Sequence, residues 1–135
     1  MTEINRDLDT VILDSNGLSA IADGDTALEP ILQQAAEIAV PVIVLGEYRY
    51  GIRQSRDRHR YEEWLTESLP NYRILDVDEA TAACYASVRY ELKKAGTPLP
   101  SNDVWIAALC RQHSFSILSR DRHFDLVRGI ERIDW

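Results

Sequence analysis

Several features are scarce in this chain of 135 residues. Its two cysteines, Cys84 and Cys110, are too few for a disulfide framework. No apolar run approaches the roughly 18 residues of a membrane span, and Met1–Thr10 lacks the apolar core of a signal peptide. Basic residues number 15 against 22 acidic ones, and the net charge of −7 argues against a simple electrostatic grip on nucleic acid. We therefore expect a reduced, cytoplasmic protein with no membrane segment.

The overall composition is that of an ordinary globular protein. Hydrophobic residues make up 45% and charged residues 27%, which excludes disordered and fibrous classes. We expect residues 1–135 to form a single domain. Short apolar runs alternate with helical patterns, which favours an α/β fold on a parallel sheet of four to five strands. The predicted strands are Asp9–Leu13, Val40–Leu45, Tyr72–Leu75, Ser114–Leu118 and an edge strand within Ile130–Trp135.

Helical patterns fill the intervals between these strands. A short helix is predicted over Ser15–Ala22, with Ser15 or Asn16 as its N-cap. An apolar stripe over residues 28–39 predicts a second helix. Further helices are predicted from Gly46 to about Ser68, from an Asp78 cap to Gly96, and from a Ser101 or Asn102 cap to Gln112.

An acidic residue follows three of the predicted strands, and another opens the last predicted helix. These residues are Asp14, Glu47, Asp121 and Asp103. Each alone has a structural explanation, as strand-end turn chemistry or as a charge at a helix N-terminus. Parallel strands end at one edge of the sheet, where open α/β sheets bind ligands, so we expect all four to lie together there. Asn16 and Ser119 stand beside them in the sequence as candidate substrate-binding residues.

The four carboxylates predict a site for a hard divalent cation. Crowded carboxylates repel one another, and a bound cation removes that penalty. An all-oxygen ligand set favours Mg²⁺ or Mn²⁺, and such a site can activate a water molecule for attack on a phosphodiester. The scattered histidines His59, His113 and His123 and the lack of a CxxC pair argue against zinc.

The segments around these acids carry a family resemblance. They resemble the four motifs of PIN-domain ribonucleases, above all those of VapC-type toxins of toxin–antitoxin modules. The resemblance covers nearly the whole chain, in the same order and spacing. The four segments are VILDSNGLSAI (11–21), VIVLGEYRYGI (42–52), SNDVWIAALC (101–110) and ILSRDRHFD (117–125).

The resemblance assigns roles residue by residue. Asp14 matches the D-x-N aspartate, and Glu47 matches the glutamate of the G-E-L-x-x-G motif. Asp103 matches the aspartate of N-D-x-x-I-A-A. Asp121 matches the acid of a T-x-D motif, where Ser119 replaces threonine and keeps its hydroxyl. The resemblance thus implies that these four acids are both catalytic residues and metal ligands.

The same resemblance implies the fold, the activity and the partners. The fold would be a three-layer α/β/α PIN-like domain, and the activity that of an endoribonuclease dependent on Mg²⁺ or Mn²⁺. The protein would act as the toxin of a type II module, form a homodimer and bind a cognate antitoxin in a larger assembly. Tyr48 replaces the usual leucine of the second motif, which we expect to change packing only.

Arginines concentrate within residues 49–60, next to Tyr61 and Trp64. Arginine suits bidentate contacts with phosphate or carboxylate groups. The stretch is therefore open to three interpretations: it binds the RNA backbone, it binds an acidic antitoxin segment, or it is a solvated helix face. We name Arg53 and Trp64 as candidate substrate or partner contacts, because arginine and aromatic residues dominate interface hot spots.

Two other functions remain open from the sequence. One is a non-catalytic PIN-like module that binds RNA or protein, which the four intact acids disfavour. The other is a different metal enzyme, such as a small-molecule phosphatase or a receiver-like phosphoacceptor built on Asp14. A receiver needs a lysine late in the sheet, and no lysine follows Lys94, which disfavours this alternative.

Overall fold

Five parallel strands form the centre of the computed structural model, which describes residues 8–135. The expectation that Met1–Thr10 is not a signal peptide concerns residues that lie largely outside this range. The strand order across the sheet is β3-β2-β1-β4-β5. The strands are β1 (Leu8–Leu13), β2 (Ala35–Pro41), β3 (Arg73–Leu75), β4 (Ser116–Leu118) and β5 (Arg132–Ile133).

Helices cover both faces of this sheet. They are α1 (Ser15–Ala22), α2 (Glu29–Gln34), α3 (Val42–Arg53), α4 (Arg58–Ser68), α5 (Glu79–Lys94) and α6 (Ser101–His113). The chain moves outward from β1 through β2 to β3, then crosses back to β4 on the other side of β1. Crossovers between parallel strands are right-handed. The connections from β1 to β2 and from β2 to β3 therefore place α1 to α4 on one face of the sheet, and the connection from β3 to β4 places α5 and α6 on the other face. The predicted three-layer α/β/α fold is therefore confirmed.

The second strand lies earlier in the chain than predicted. It covers Ala35–Pro41, and helix α3 begins at Val42, so the strand predicted over Val40–Leu45 is wrong. The helix predicted over residues 28–39 is also wrong, because α2 ends at Gln34. A short apolar run does not distinguish a strand from a buried helical turn. The alanine-rich stretch favours a helix locally, but pairing with β1 on one side and β3 on the other places it in the sheet.

The N-cap of α1 is Asp14, and the prediction of Ser15 or Asn16 is wrong. The Asp14 carboxylate accepts a hydrogen bond from the backbone N–H of Gly17, which satisfies a free donor of the first helical turn. The residue that ends β1 therefore also starts the next helix, and its side chain is fixed at the edge of the sheet.

Helices α5 and α6 begin in different ways. Asp78 caps α5 as predicted, in a reciprocal capping box with Thr81. The N-cap of α6 is Pro100, so the predicted cap at Ser101 or Asn102 is wrong. An extended backbone at Pro100 turns the chain into the helix without any side-chain cap hydrogen bond. Asp103 consequently lies in the first turn of α6.

The core lies between the sheet and its two helical layers. Residues Val11–Leu13 of β1 and the inner face of α6 around Ala107 and Leu109 are fully buried. Both cysteines carry free thiols, and Cys110 is buried. Within residues 8–135, no helix combines the length and the hydropathy needed to cross a bilayer.

Candidate active site

Four carboxylates meet in a cavity of about 140 Å³ at the carboxyl edge of the sheet. The cavity lies beside the ends of β1 and β4, adjacent strands whose connections leave toward opposite faces. In open α/β sheets this reversal of strand order opens a crevice for ligands. The structure brings all four predicted acids to this cavity, together with Asn16. Its lining residues are Asp14, Ser15, Asn16, Glu47, Asp103, Ile106 and Asp121.

Asp14 is the most buried acid of the cavity, with 5% of its surface exposed. Its Oδ1 accepts from the backbone N–H of Gly17 at 2.7 Å, and its Oδ2 accepts from the Ser119 hydroxyl. Burial raises the pKa of Asp14, and the charges of Asp121 and Glu47 raise it further. The hydrogen bonds from Ser119 and Gly17 oppose that increase in pKa. The carboxylate is thus rigidly held but costly to ionise without a nearby cation.

Ser119 connects the end of β4 to Asp14. It is fully buried, and its Oγ accepts a hydrogen bond from the backbone N–H of Asp121 at 2.9 Å. Arg132 on β5 donates to the Ser119 carbonyl oxygen at 3.0 Å. Ser119 therefore lies behind the cavity, not in its lining, and holds Asp14 and the Asp121 backbone in one arrangement.

Glu47 reaches the cavity from the second turn of α3, not from the end of a strand as predicted. The Ser15 hydroxyl donates to Glu47 Oε1 at 3.0 Å. Because α3 starts directly after β2, its first turns lie over the same edge of the sheet. Glu47 therefore lies beside the other three acids, as predicted, although it is on a helix and not at the end of a strand.

Asp103 and Asp121 form a tighter group with His123. One ligand atom of each residue lies within 4.8 Å of the other two. Burial raises the pKa of Asp103, and the charges of Asp121 and Glu47 add to that effect. The His123 backbone N–H and Nδ1 lie 2.9 Å and 3.1 Å from Asp121 Oδ1. The sequence analysis treated the three histidines as scattered and did not place His123 at the site. Its position two residues after Asp121 was a signal that it lies nearby.

The donor chemistry of the cavity fits a hard divalent cation. Carboxylate oxygens dominate the lining, and such ligands suit Mg²⁺ and Mn²⁺. Burial is the main cause of the raised pKa values of Asp14 and Asp103, and the charges of Asp121 and Glu47 raise both values further. A cation among them offsets both the repulsion and the cost of burial.

Gly17 makes the tight packing around Asp14 possible. A β-carbon added there would lie 3.3 Å from Asp14 Oδ1 and 3.4 Å from the carbonyl oxygen of Leu118. No site role was predicted for Gly17 or Arg132, and Ser15 was predicted only as a helix cap. In the structure Ser15 supports Glu47, and Arg132 supports Ser119.

Arg53 and Trp64 lie away from the acidic cavity. Arg53 is exposed at the end of α3. Trp64 on α4 is half-buried and packs edge-on against Tyr48, with ring centroids 6.1 Å apart. The basic stretch is partly neutralised, because Arg58 pairs with Glu62 and Arg60 pairs with Asp57 on the same helix or its cap.

Known proteins share the fold and part of the sequence of this chain. Ribonuclease VapC4 of Mycobacterium tuberculosis is 29% identical over 110 residues, which cover 80% of this chain and 85% of that protein. A chain of DNA-bound VapBC from Salmonella typhimurium superposes with a TM-score of 0.84 at 23% identity, over 93% of this chain and 98% of that one. A chain of FitAcB from Neisseria gonorrhoeae superposes with a TM-score of 0.78 at 26% identity, over 91% of this chain and 96% of that one. Residues 11–130 match the PIN domain, so this chain belongs to the PIN domain family.

Proposed function

We propose that this protein is an endoribonuclease, dependent on Mg²⁺ or Mn²⁺, that acts as the toxin of a type II toxin–antitoxin module. The observation that carries the proposal is the meeting of four carboxylates from four chain segments in one cavity. The name of the VapC4 relative, a ribonuclease, supports RNA as the substrate. The alternative, a PIN-like module that binds RNA or protein without cleaving it, does not need this costly group of crowded acids, of which Asp14 is buried and the other three are half-buried.

Each acid has a defined part in this proposal. Asp14, Glu47, Asp103 and Asp121 hold the cation, and Asn16 contacts the substrate from the exposed rim of the cavity. When bound, the cation supplies a Lewis acid that activates water and stabilises the departing oxygen of the phosphodiester. The protein supplies rigid ligands, because the Ser119 hydroxyl and the Gly17 N–H fix Asp14. The Ser15 hydroxyl fixes Glu47 in the same way.

We also propose a cognate antitoxin and a homodimer as partners. VapBC and FitAcB, whose chains share this fold, support an antitoxin partner. The antitoxin would lie along α3 and α4, with an apolar anchor near Trp64 and contacts to Arg53. An antitoxin arginine that enters the acidic cavity would replace the charge of the cation and block catalysis.

The proposal is tested by incubating the purified protein with RNA and Mn²⁺ and mapping the new RNA ends. We expect internal cleavage by the wild type and none by Asp103→Asn. Asp76→Asn is the matched control, because Asp76 is exposed just after β3, at the same edge of the sheet but outside the cavity. RNA binding without cleavage by the wild type would favour the non-catalytic module.

A further inference from the structure

A histidine side chain lies beside the acids of the cavity. Asp103, Asp121 and His123 each place one ligand atom within 4.8 Å of the ligand atoms of the other two. His123 Nδ1 is 3.1 Å from Asp121 Oδ1. In an octahedral site with bonds of about 2.1 Å, two adjacent ligand atoms lie about 3.0 Å apart. The distance between this nitrogen and this oxygen therefore fits two ligands of one cation, as well as a hydrogen bond.

Two of these three side chains keep carboxylate oxygens free for a cation. Asp121 Oδ1 accepts from the backbone N–H of His123, and within residues 8–135 nothing donates to Asp121 Oδ2. The Asp103 side chain has neither a hydrogen bond nor an ion pair with any described residue, although it is half-buried. A half-buried carboxylate without a partner is unfavourable, and a bound cation offsets that cost.

The backbone that carries His123 is anchored on both sides. Its own N–H donates to Asp121 Oδ1 at 2.9 Å. Phe124, the next residue, is 1% exposed, and Asp125 accepts two hydrogen bonds from Arg132 on β5. The imidazole ring itself is 62% exposed. The ring can therefore turn toward a cation, while the backbone keeps it next to Asp121.

We propose that His123 supplies a nitrogen ligand to the cation of the acidic cavity, and that this ligand makes the site select Mn²⁺ over Mg²⁺. The inference rests on the proposed function, which requires a divalent cation but leaves the choice between these two ions open. It adds His123 to the ligand set and adds a preference that four carboxylates alone do not provide.

The selectivity follows from the difference between oxygen and nitrogen ligands. Mg²⁺ favours oxygen ligands and gives up its water molecules reluctantly, so an imidazole adds little to its binding. Imidazole suits transition-metal ions, and the affinity of a site with nitrogen and oxygen ligands rises from Mn²⁺ through Fe²⁺ to Co²⁺. The contribution of the His123 ring should therefore be smallest for Mg²⁺, larger for Mn²⁺ and largest for Co²⁺.

The test measures cation binding by the full chain in the absence of RNA. Chelator-stripped wild type and His123→Gln are titrated separately with Mg²⁺, Mn²⁺ and Co²⁺ and followed by calorimetry. Glutamine keeps a polar side chain but has no imidazole nitrogen. We expect the Mg²⁺ affinity to change by less than about twofold and the Co²⁺ affinity to fall at least about tenfold, with an intermediate loss for Mn²⁺.

Pulsed EPR of bound Mn²⁺ gives a second readout that does not depend on affinity. A directly bound imidazole nitrogen couples to the electron spin of Mn²⁺, whereas a histidine that only forms a hydrogen bond with Asp121 is not a ligand. We expect nitrogen coupling in the wild type and none in His123→Gln. His59→Gln is the matched control, because His59 is exposed on α4 and does not line the cavity. It should keep the coupling and all three affinities, and thermal melts check that both variants are folded.

Three results would overturn the inference. They are the absence of nitrogen coupling in the wild type, coupling that persists in His123→Gln, and equal losses for the three ions, which would show that His123 only positions Asp121. Failure of the ribonuclease proposal is a separate result. In that case the nitrogen coupling and the graded losses persist, while the wild type cuts no RNA in Mn²⁺. Conversely, cleavage in Mn²⁺ without nitrogen coupling would leave the ribonuclease proposal intact and remove His123 from the ligand set.

Discussion

The Ser119 hydroxyl donates a hydrogen bond to Asp14 Oδ2 although 105 positions separate the two residues in sequence. The register of the sheet explains the contact. Leu13 on β1 lies opposite Leu118 on β4, so the residue that follows each strand emerges beside the other. Both side chains are buried, and the bond fixes one oxygen of the least exposed acid in the cavity.

This relationship makes Ser119 a positioning residue for Asp14. Replacing Ser119 with alanine removes the hydroxyl that holds Asp14 and accepts from the Asp121 N–H. Loss of a group that orients a metal ligand typically costs about 10–100-fold in metal affinity or activity, and we expect a loss in that range. Titration with Mn²⁺ measures the affinity directly. Ser119→Thr keeps the hydroxyl and should restore most of it, and equal affinities in all three proteins would contradict this role.

The close approach at Gly17 predicts opposite effects for two glycine substitutions. Gly17→Ala places a methyl group against Asp14 Oδ1 and a backbone carbonyl, neither of which is free to move. We expect a destabilisation of about 1–3 kcal/mol, the usual range for overpacking. Gly46→Ala has open space and should stabilise α3 by roughly 0.5–1 kcal/mol. Urea unfolding compares the two variants, and a stabilising Gly17→Ala would show that the site yields easily.

The raised pKa of Asp14 predicts how the stability of the metal-free protein depends on pH. Burial is the main cause of that increase. An unfolded aspartate has a pKa of about 3.9, so above this pH the unfolded state releases its proton before the folded state does. The folded state then binds more protons, and its stability falls as the pH rises through the folded pKa.

Asp14→Asn isolates this effect, because it keeps the shape of the side chain but carries no charge. In EDTA, we expect the variant to gain stability relative to the wild type as the pH rises above about 4. Saturating Mg²⁺ should reduce the difference, because it stabilises the wild type more than a variant that lacks one of the four carboxylates. Denaturant unfolding at several pH values measures it. If the difference in unfolding free energy between the variant and the wild type stays constant from pH 3 to pH 7, the Asp14 charge does not destabilise the metal-free protein.

If the antitoxin lies along α3 and α4, substitutions of Trp64 and Arg53 should weaken its binding by different amounts. Truncating a hot-spot residue costs at least about 2 kcal/mol, so Trp64→Ala should weaken the cognate antitoxin roughly 30-fold. Arg53→Ala should cost less, because Arg53 is exposed and solvent screens its charge. Trp64 also packs on Tyr48, so a thermal melt must accompany each binding titration. Unchanged affinity in both folded variants would place the antitoxin elsewhere.

Much of the acidic cavity was predictable because strand ends in a parallel sheet share one edge. This rule located Asp14, Asp121 and Ser119 from short apolar runs alone. The same rule placed Glu47 correctly but for a wrong reason, because it took the whole run VPVIVL (40–45) as a strand. In the structure the strand ends at Pro41 and a helix begins at Val42. Pairing with two neighbouring strands decides the structure of Ala35–Pro41, and no local pattern encodes those pairs.

Interactions between distant side chains were the part that sequence could not supply. The bond from Ser15 to Glu47 spans 32 positions, and that from Tyr61 to Asp23 spans 38. Both depend on how α1 packs against α3 and α4. The Tyr48 hydroxyl has no hydrogen-bond partner within residues 8–135. The sequence predicted only a packing change at this position, because burial and hydrogen-bond partners are properties of the folded chain.

We propose above that the four carboxylates hold a divalent cation required for RNA cleavage. The most direct measurement is RNA cleavage by chelator-stripped wild-type protein as Mn²⁺ is added back, with Mn²⁺ binding followed in the same samples. We predict no cleavage in EDTA and activity that rises in parallel with occupancy of the site. Undiminished cleavage of RNA by the stripped protein in excess EDTA would contradict the account.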